Sequence, residues 1–160
     1  MTDETSAAPV AGANREIILN QIYLKDCSFE APNGPRIPTP DWNPKINVNM
    51  NTASNELGND LREVVLTVTV EAKVGDLTAF LVEVKQAGVF TLRNLAQDEL
   101  RRTVSSLCPE VLFPYVRAEV GNLIQKGGFP PFLLPPVSFD SLYVQSMKTQ
   151  QEQQTNPAIN

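Results

Sequence analysis

Residues 61–74 read LREVVLTVTVEAKV, and this stretch decides the fold. Apolar side chains occupy every second position from Val64 to Val74, and mostly polar ones lie between them. Successive side chains of a β-strand point to opposite faces, so the stretch predicts a long strand with one face in the core. Gly75 and Asp76 form a turn signal, and residues 78–90 alternate again. The sequence therefore predicts an antiparallel hairpin.

Two further strands are predicted before this hairpin. Residues 17–30 alternate, and two sets of side chains are expected on opposite faces: Ile17, Leu19, Tyr23, Cys27 and Phe29 on one, Asp26, Ser28 and Glu30 on the other. Ile46, Val48 and Met50 alternate with polar residues in the second strand. Between them, five prolines predict an irregular connection around Trp42, the only tryptophan.

The spacing of apolar residues changes after the hairpin. Residues 98–108 and 109–126 show helical periodicity, with Pro109 expected to end or kink the first helix and Gly127-Gly128 to stop the second. An extended crossover and a final helix follow. Four strands followed by helices predict an α+β fold, an antiparallel sheet with helices on one face. Residues 15–148 are expected to form one domain, with disordered tails at 1–14 and 149–160.

Two parts of the chain offer more apolar surface than two or three helices need. They are the face of the return strand with Phe80, Val82 and Val84, and the apolar stripe on residues 98–108. This surplus, and a long first strand with nothing to block its edge, predict self-association.

Composition argues against several classes of function. Histidine is absent, no glycine-rich phosphate motif occurs, and the net charge is −5. We therefore expect no cofactor, no metal, no catalytic activity and no binding of nucleic acid. The N-terminus lacks the features of a secretory signal, which predicts a cytoplasmic protein, in which Cys27 and Cys108 are expected to be reduced and buried.

Three stretches place acidic groups, aromatics and prolines where a site for another polypeptide would need them. They are KDCSFEAP at 25–32, LCPEVLFPY at 107–115, and the segment from GFP at 128–130 to PVSFD at 136–140. In this order they resemble the SecB family, bacterial protein-export chaperones, from about residue 17 to residue 143.

The resemblance implies an ATP-independent chaperone. Such a protein holds unfolded secretory precursors in a translocation-competent state and delivers them to the motor ATPase SecA at the membrane. It also implies a homotetramer, in which two subunits form an eight-stranded sheet and two such dimers pack through helices. Val82, Val84 and Gln86 match positions that support this assembly.

The resemblance also implies two binding surfaces. The substrate groove would include Trp42, Ile46, Val48, Met50, Phe113, Tyr115, Phe129 and Tyr143. The acidic face that docks the basic, zinc-bearing C-terminal tail of SecA would include Asp26, Glu30, Leu81 and Glu83. Lys25, Lys73 and Lys85 are expected to dilute the negative field of that face.

The residues alone leave alternatives open. Each aromatic could be ordinary core, and the acidic residues an ordinary solvated sheet surface. Asp26 and Glu30 could act as paired carboxylates in an enzyme, although no pocket is evident. A curved sheet with a long helix could also carry a small molecule. Within the family, some SecB-like chaperones control toxin–antitoxin pairs, but the retained acidic positions favour export.

Overall fold

The predicted hairpin forms the centre of the sheet in a computed structural model that describes residues 14–38 and 40–155. The four strands are β1 (Glu16–Glu30), β2 (Lys45–Gly58), β3 (Leu61–Val74) and β4 (Leu77–Arg93). Their spatial order is β1-β4-β3-β2, and every neighbouring pair is antiparallel. β1 and β2 are therefore the two edge strands. The predicted α+β fold with a four-stranded antiparallel sheet is confirmed.

The core lies between the hairpin and one long helix. Val64, Leu66, Val68 and Val70 of β3 have no exposed surface. Helix α2 (Cys108–Lys126) packs against β3 and β4 and buries one side of its own surface there. The side of the sheet that faces α2 is called the inner face below, and the opposite side is called the outer face.

The helical segment before α2 is continuous with it. Helix α1 (Gln97–Arg102) runs into a π turn (Thr103–Leu107), in which the Cys108 N–H donates to the carbonyl of Thr103. Pro109 then falls in the first turn of α2, a position that suits proline because its φ is already close to the helical value. The regular α-helix is interrupted by this π turn just before Pro109, and the helical path continues past it; a kink at Pro109 stays a prediction.

The final helix is longer than expected. Helix α3 spans Phe139–Thr155, so residues 149–155, predicted to belong to a disordered tail, are helical. Its first turn packs on the π turn rather than on the sheet. Residues 1–13 and 156–160, which make up most of the two predicted tails, lie outside the described residues.

Two register shifts change which side chains of β1 point outward. They lie between Leu19 and Gln21 and between Leu24 and Asp26. Each β-bulge inserts one residue and reverses the alternation. The predicted single face from Ile17 to Phe29 is therefore wrong for Tyr23, which lies opposite the outward position Ala87. Asp26, Ser28 and Glu30 do share the outer face, opposite Lys85, Glu83 and Leu81.

The apolar face of β4 is not spare surface. Phe80, Val82 and Val84 are fully buried and Gln86 is 5% exposed within the single chain. The expectation of surplus apolar surface on this face is wrong, because α2 and the rings of Phe29, Trp42 and Phe129 already cover it; self-association itself stays a prediction. Val82, Val84 and Gln86 lie opposite Phe29, Cys27 and Leu24 of the edge strand β1, and their effect on assembly stays a prediction.

The two cysteines have different environments. Cys108 is buried, and burial raises the pKa of its thiol to about 12. Cys27 is exposed on β1, contrary to the expectation that both are buried. The covering helices stop short of this edge strand, which α2 barely contacts.

Within the described ranges 14–38 and 40–155, the helices are too short or too polar to cross a bilayer.

Candidate functional site

The outer face brings the four predicted SecA-binding residues together. Glu30 on β1 lies opposite Leu81 on β4, Ser28 lies opposite Glu83, and Asp26 lies opposite Lys85. Directly opposed side chains on neighbouring strands are about 5 Å apart at Cβ. Asp26, Glu30, Leu81 and Glu83 therefore form one continuous surface, which is called the acidic patch below.

Hydrogen bonds and lysines surround the acidic patch. The Thr69 hydroxyl on β3 donates to Glu83 Oε2 at 3.3 Å. Lys85 Nζ lies 3.6 Å from Glu83 Oε1, and Lys73 Nζ lies 3.4 Å from Glu71 Oε1. The carboxylates of Glu71 and Glu83 thus have a basic neighbour, and the negative potential is lower than the count of acidic residues suggests.

Sequence reasoning missed Glu63, a buried carboxylate on this outer face. It is 8% exposed on β3. It accepts hydrogen bonds from the Tyr23 hydroxyl, from Lys25 Nζ at 2.7 Å and from Asn55 Nδ2 at 3.4 Å. These donors come from both edge strands, so Glu63 ties β1 and β2 to the centre of the sheet. Nothing in the sequence around Glu63 distinguishes it from an ordinary exposed glutamate. Its hydrogen bond from Tyr23 depends on the β-bulge that turns Tyr23 to the outer face, and this bulge lies on another strand.

The hydrogen bonds to Glu63 affect stability in acid. The hydrogen bonds from Lys25 and then Tyr23 are the main reason that the pKa of Glu63 lies below its usual value. A carboxylate with a lowered folded-state pKa stabilises the fold above its unfolded-state pKa, and this contribution is lost as the pH falls through the folded-state pKa.

We expect Glu63→Gln to lower the free energy of unfolding by about 1–3 kcal/mol at neutral pH, because Lys25 loses its buried counter-ion. The difference from the unchanged protein should shrink as the pH falls through the acid range, measured by urea unfolding. Glu56→Gln, at an exposed carboxylate at the end of β2, is the control. A difference that stays constant down to the acid limit would contradict the role of an ionised Glu63.

Four aromatic rings form a cluster at one end of the inner face. The ring of Phe80 lies 5.2 Å from Phe129, 6.2 Å from Phe29 and 6.4 Å from Trp42, between centroids. Trp42 and Phe129 are 5.5 Å apart. Phe129 and Phe80 are buried, whereas Trp42 is half-buried. The buried rings of Phe80 and Phe129 thus form the interior of the cluster, and Trp42 lies at its solvent-accessible border.

Close packing explains the glycine after α2. A Cβ at Gly127 would lie 2.1 Å from Cζ of Phe29. Only a glycine lets the chain leave α2 against this ring. The Gly127-Gly128 stop was predicted from the helix pattern, and its contact with the cluster was not.

An open groove of about 480 Å³ runs between the β2 edge and α3. Met50 lies on the strand side, and Phe139, Leu142, Tyr143 and Met147 lie on the helix side. Ile46 and Val48 precede Met50 on the same inward side of β2, and both are half-buried. Three predicted groove residues therefore lie along one strand, and Tyr143 faces the last of them.

A second open groove of about 510 Å³ lies between α2 and the crossover. Phe113, Pro114, Leu133 and Val137 supply its apolar walls, and Arg117 its polar side. Phe113 is buried, with its ring 5.8 Å from Phe139, so it supports the groove from below. Tyr115 is 51% exposed on α2 and lines neither groove. The eight predicted groove residues therefore do not line a single groove: Met50 and Tyr143 line the first and Phe113 the second, whereas Trp42 and Phe129 belong to the aromatic cluster.

A salt bridge fixes the start of α3 beside these grooves. Arg102 donates through Nε and Nη2 to the two carboxylate oxygens of Asp140, at 2.9 and 2.8 Å. The Arg102 guanidinium is the main reason that the pKa of Asp140 lies below its usual value. These two parallel hydrogen bonds orient the first turn of α3 on the π turn. They therefore hold in place the start of the helix that forms one wall of the β2–α3 groove.

Comparison with known proteins gives a consistent result. The family model described as "Preprotein translocase subunit SecB" matches residues 11–150. The protein-export protein SecB of Hahella chejuensis is 46% identical over 140 residues, which cover 88% of each chain. That of Actinobacillus succinogenes is 43% identical over 166 residues, covering the whole of both chains.

One solved structure shares the fold. It is a SecB-like chaperone of Mycobacterium tuberculosis in complex with a peptide from an antitoxin. It superposes with a TM-score of 0.66 at 16% identity, covering 76% of this chain and 91% of the other.

Proposed function

The chain belongs to the SecB family, and from this membership we propose that it is an ATP-independent chaperone for protein export. It holds unfolded secretory precursors in a translocation-competent state and delivers them to SecA. The observation that carries the proposal is the separation of two surfaces. Apolar grooves adjoin the inner, helix-bearing side, and the acidic patch lies on the outer face. A client and a docking partner can therefore be bound at the same time.

Client segments bind along the apolar surfaces. The residues proposed to form these surfaces are Trp42, Ile46, Val48, Met50, Phe113, Tyr115, Phe129 and Tyr143. Apolar side chains of an extended client fill the open grooves, and aromatic walls accept them with little sequence preference. The free edge of β2 can bond a client backbone beside the β2–α3 groove. Phe113 and Phe129 are buried, so they shape the floor and leave direct contact to their neighbours.

SecA docks on the acidic patch through its basic, zinc-bearing tail. Asp26, Glu30 and Glu83 supply the charge and Leu81 supplies an apolar contact between them. Charge complementarity of this kind speeds docking and makes it sensitive to salt. Release of the client then follows transfer to SecA, whose ATP hydrolysis supplies the energy.

Assembly into a tetramer accounts for the apolar surface of β1. Ile17, Ile18, Leu19 and Leu24 on this edge strand are 39–48% exposed. Large apolar side chains on an unpaired edge are typical of a strand that pairs with another chain. Several weak grooves in one assembly increase the effective affinity for a single long client. We place this assembly in the cytoplasm, where precursors are synthesised.

Two alternatives are less favoured. The relatives at 38–46% identity are named for protein export, whereas the SecB-like chaperone bound to an antitoxin peptide is only 16% identical. A competition assay between a secretory precursor and an antitoxin peptide separates these roles. A small-molecule carrier would enclose its ligand, whereas the two apolar grooves described above are open.

Size-exclusion chromatography with light scattering tests the proposal. The protein is mixed, without nucleotide, with one secretory precursor in its unfolded and folded forms. We expect a particle of about 70 kDa, four copies of the 17.6-kDa chain, that retains only the unfolded form. A monomer or dimer that retains neither form would overturn the proposal.

A further inference from the structure

Lys85 lies at one end of the acidic patch. It lies directly opposite Asp26 on β1 and two residues from Glu83 along β4, so all three side chains point to the outer face. Its Nζ is 3.6 Å from Glu83 Oε1, and the Lys85 and Glu83 side chains are 39% and 38% exposed. The ammonium group is therefore paired with Glu83 at the surface, on the strand position opposite Asp26.

Lys25, on β1 close to the patch, is paired with a carboxylate outside the patch. Lys25 Nζ donates to the buried Glu63 at 2.7 Å, and this hydrogen bond raises the pKa of Lys25. Its charge is compensated by a carboxylate outside the acidic patch. Lys73 is likewise beside Glu71, on β3. Of these three lysines, only Lys85 has its nearest carboxylate within the acidic patch itself.

We propose that Lys85 is a built-in counter-ion of Glu83, beside Asp26, that a basic docking partner must displace. The inference rests on the proposed docking of a basic, zinc-bearing tail to this patch. An exposed ion pair at this distance is weak, so a partner can break it readily. The displaced Lys85 ammonium repels the incoming positive charge until the Lys85 side chain rotates away from it.

Lys85 would then set which partners dock. A partner with a single positive charge gains little binding free energy, because its charge only replaces that of Lys85. A segment with several positive charges replaces Lys85 and also reaches Glu30, so it retains a net attraction. The lysine thus selects for clustered basic partners and keeps docking weak and reversible.

Calorimetric titration of the tetramer with a zinc-loaded peptide of the SecA tail tests this inference. We expect Lys85→Gln to bind the peptide about three- to fivefold more tightly at low salt, with the gain lost at high salt. Lys126→Gln, at the end of α2, is the control because it changes the net charge equally away from the patch. Glu83→Gln is the second reference, and it should weaken binding.

The outcomes separate the inference from the proposed function. Tighter binding by Lys85→Gln alone, with weaker binding by Glu83→Gln, supports both. Unchanged or weaker binding by Lys85→Gln, or an equal gain by Lys126→Gln, overturns the counter-ion role and leaves docking intact. If Glu83→Gln and Asp26→Asn both bind as tightly as the unchanged protein, the docking site itself is wrong. Equal elution volumes and thermal midpoints establish that each variant is folded.

Discussion

Replacing Phe80 with alanine is expected to lower the free energy of unfolding by about 3–5 kcal/mol, because it removes the central ring of the aromatic cluster. Phe80 has no exposed surface, and its ring contacts Phe29, Trp42 and Phe129. The residual cavity would lie beneath Trp42, at the border of the proposed groove. Native domains are stable by only about 5–15 kcal/mol, so the variant is expected to be close to unfolding.

Urea unfolding at a fixed protein concentration measures this effect, since assembly couples stability to concentration. Leu133→Ala is the control, because this side chain is 65% exposed on the crossover and its loss should change stability by less than about 0.5 kcal/mol. A loss below about 1 kcal/mol for Phe80→Ala would contradict the assignment of this ring to the core.

Reversing two charges of the acidic patch is expected to weaken the proposed docking of the SecA tail strongly. Glu30→Lys with Glu83→Lys adds two positive charges to the patch, which already holds Lys85 at one end, and attraction of the basic tail becomes repulsion. Each reversal should cost at least about 1.4 kcal/mol, so the pair should weaken binding by about 100-fold or more. Capture of unfolded clients should be unchanged, because the patch and the grooves lie on different sides of the molecule.

The matched control is Glu56→Lys with Glu152→Lys. Both carboxylates are exposed, at the end of β2 and on α3, and neither belongs to the acidic patch. The net charge changes equally, so docking should weaken far less than with the patch variant. Loss of client capture in the patch variant, or an equal loss of docking in the control, would contradict two separate surfaces.

The fold could be predicted where one local pattern dominates. The strict alternation of residues 61–74 gave β3 with the observed bounds, and the Gly75-Asp76 turn fixed its pairing with β4. β2 continues to Gly58, beyond the predicted apolar positions, because it pairs with β3 even where its side chains are polar. The extension of α3 to Thr155 is also a feature that apolar periodicity could not show, since its last turns are polar.

The site could be predicted only in part, for a physical reason. Asp26 and Glu30 lie four residues apart after the last bulge of β1, so the alternation rule correctly puts them on one face. Tyr23 lies before that bulge, and its hydrogen bond to Glu63 depends on a register shift that the local sequence does not show. The burial of Phe113 and Phe129 depends on contacts with α3 and with β4, which are distant along the chain.

The refolding rate of a secretory precursor tests the central claim most directly. The precursor is diluted from denaturant with and without a molar excess of the protein, in the absence of nucleotide, and its refolding is followed by fluorescence. We predict that refolding stops while the protein is in excess, and that the same chain without its signal sequence folds fast enough to escape. An unchanged refolding rate for the full precursor would contradict the account.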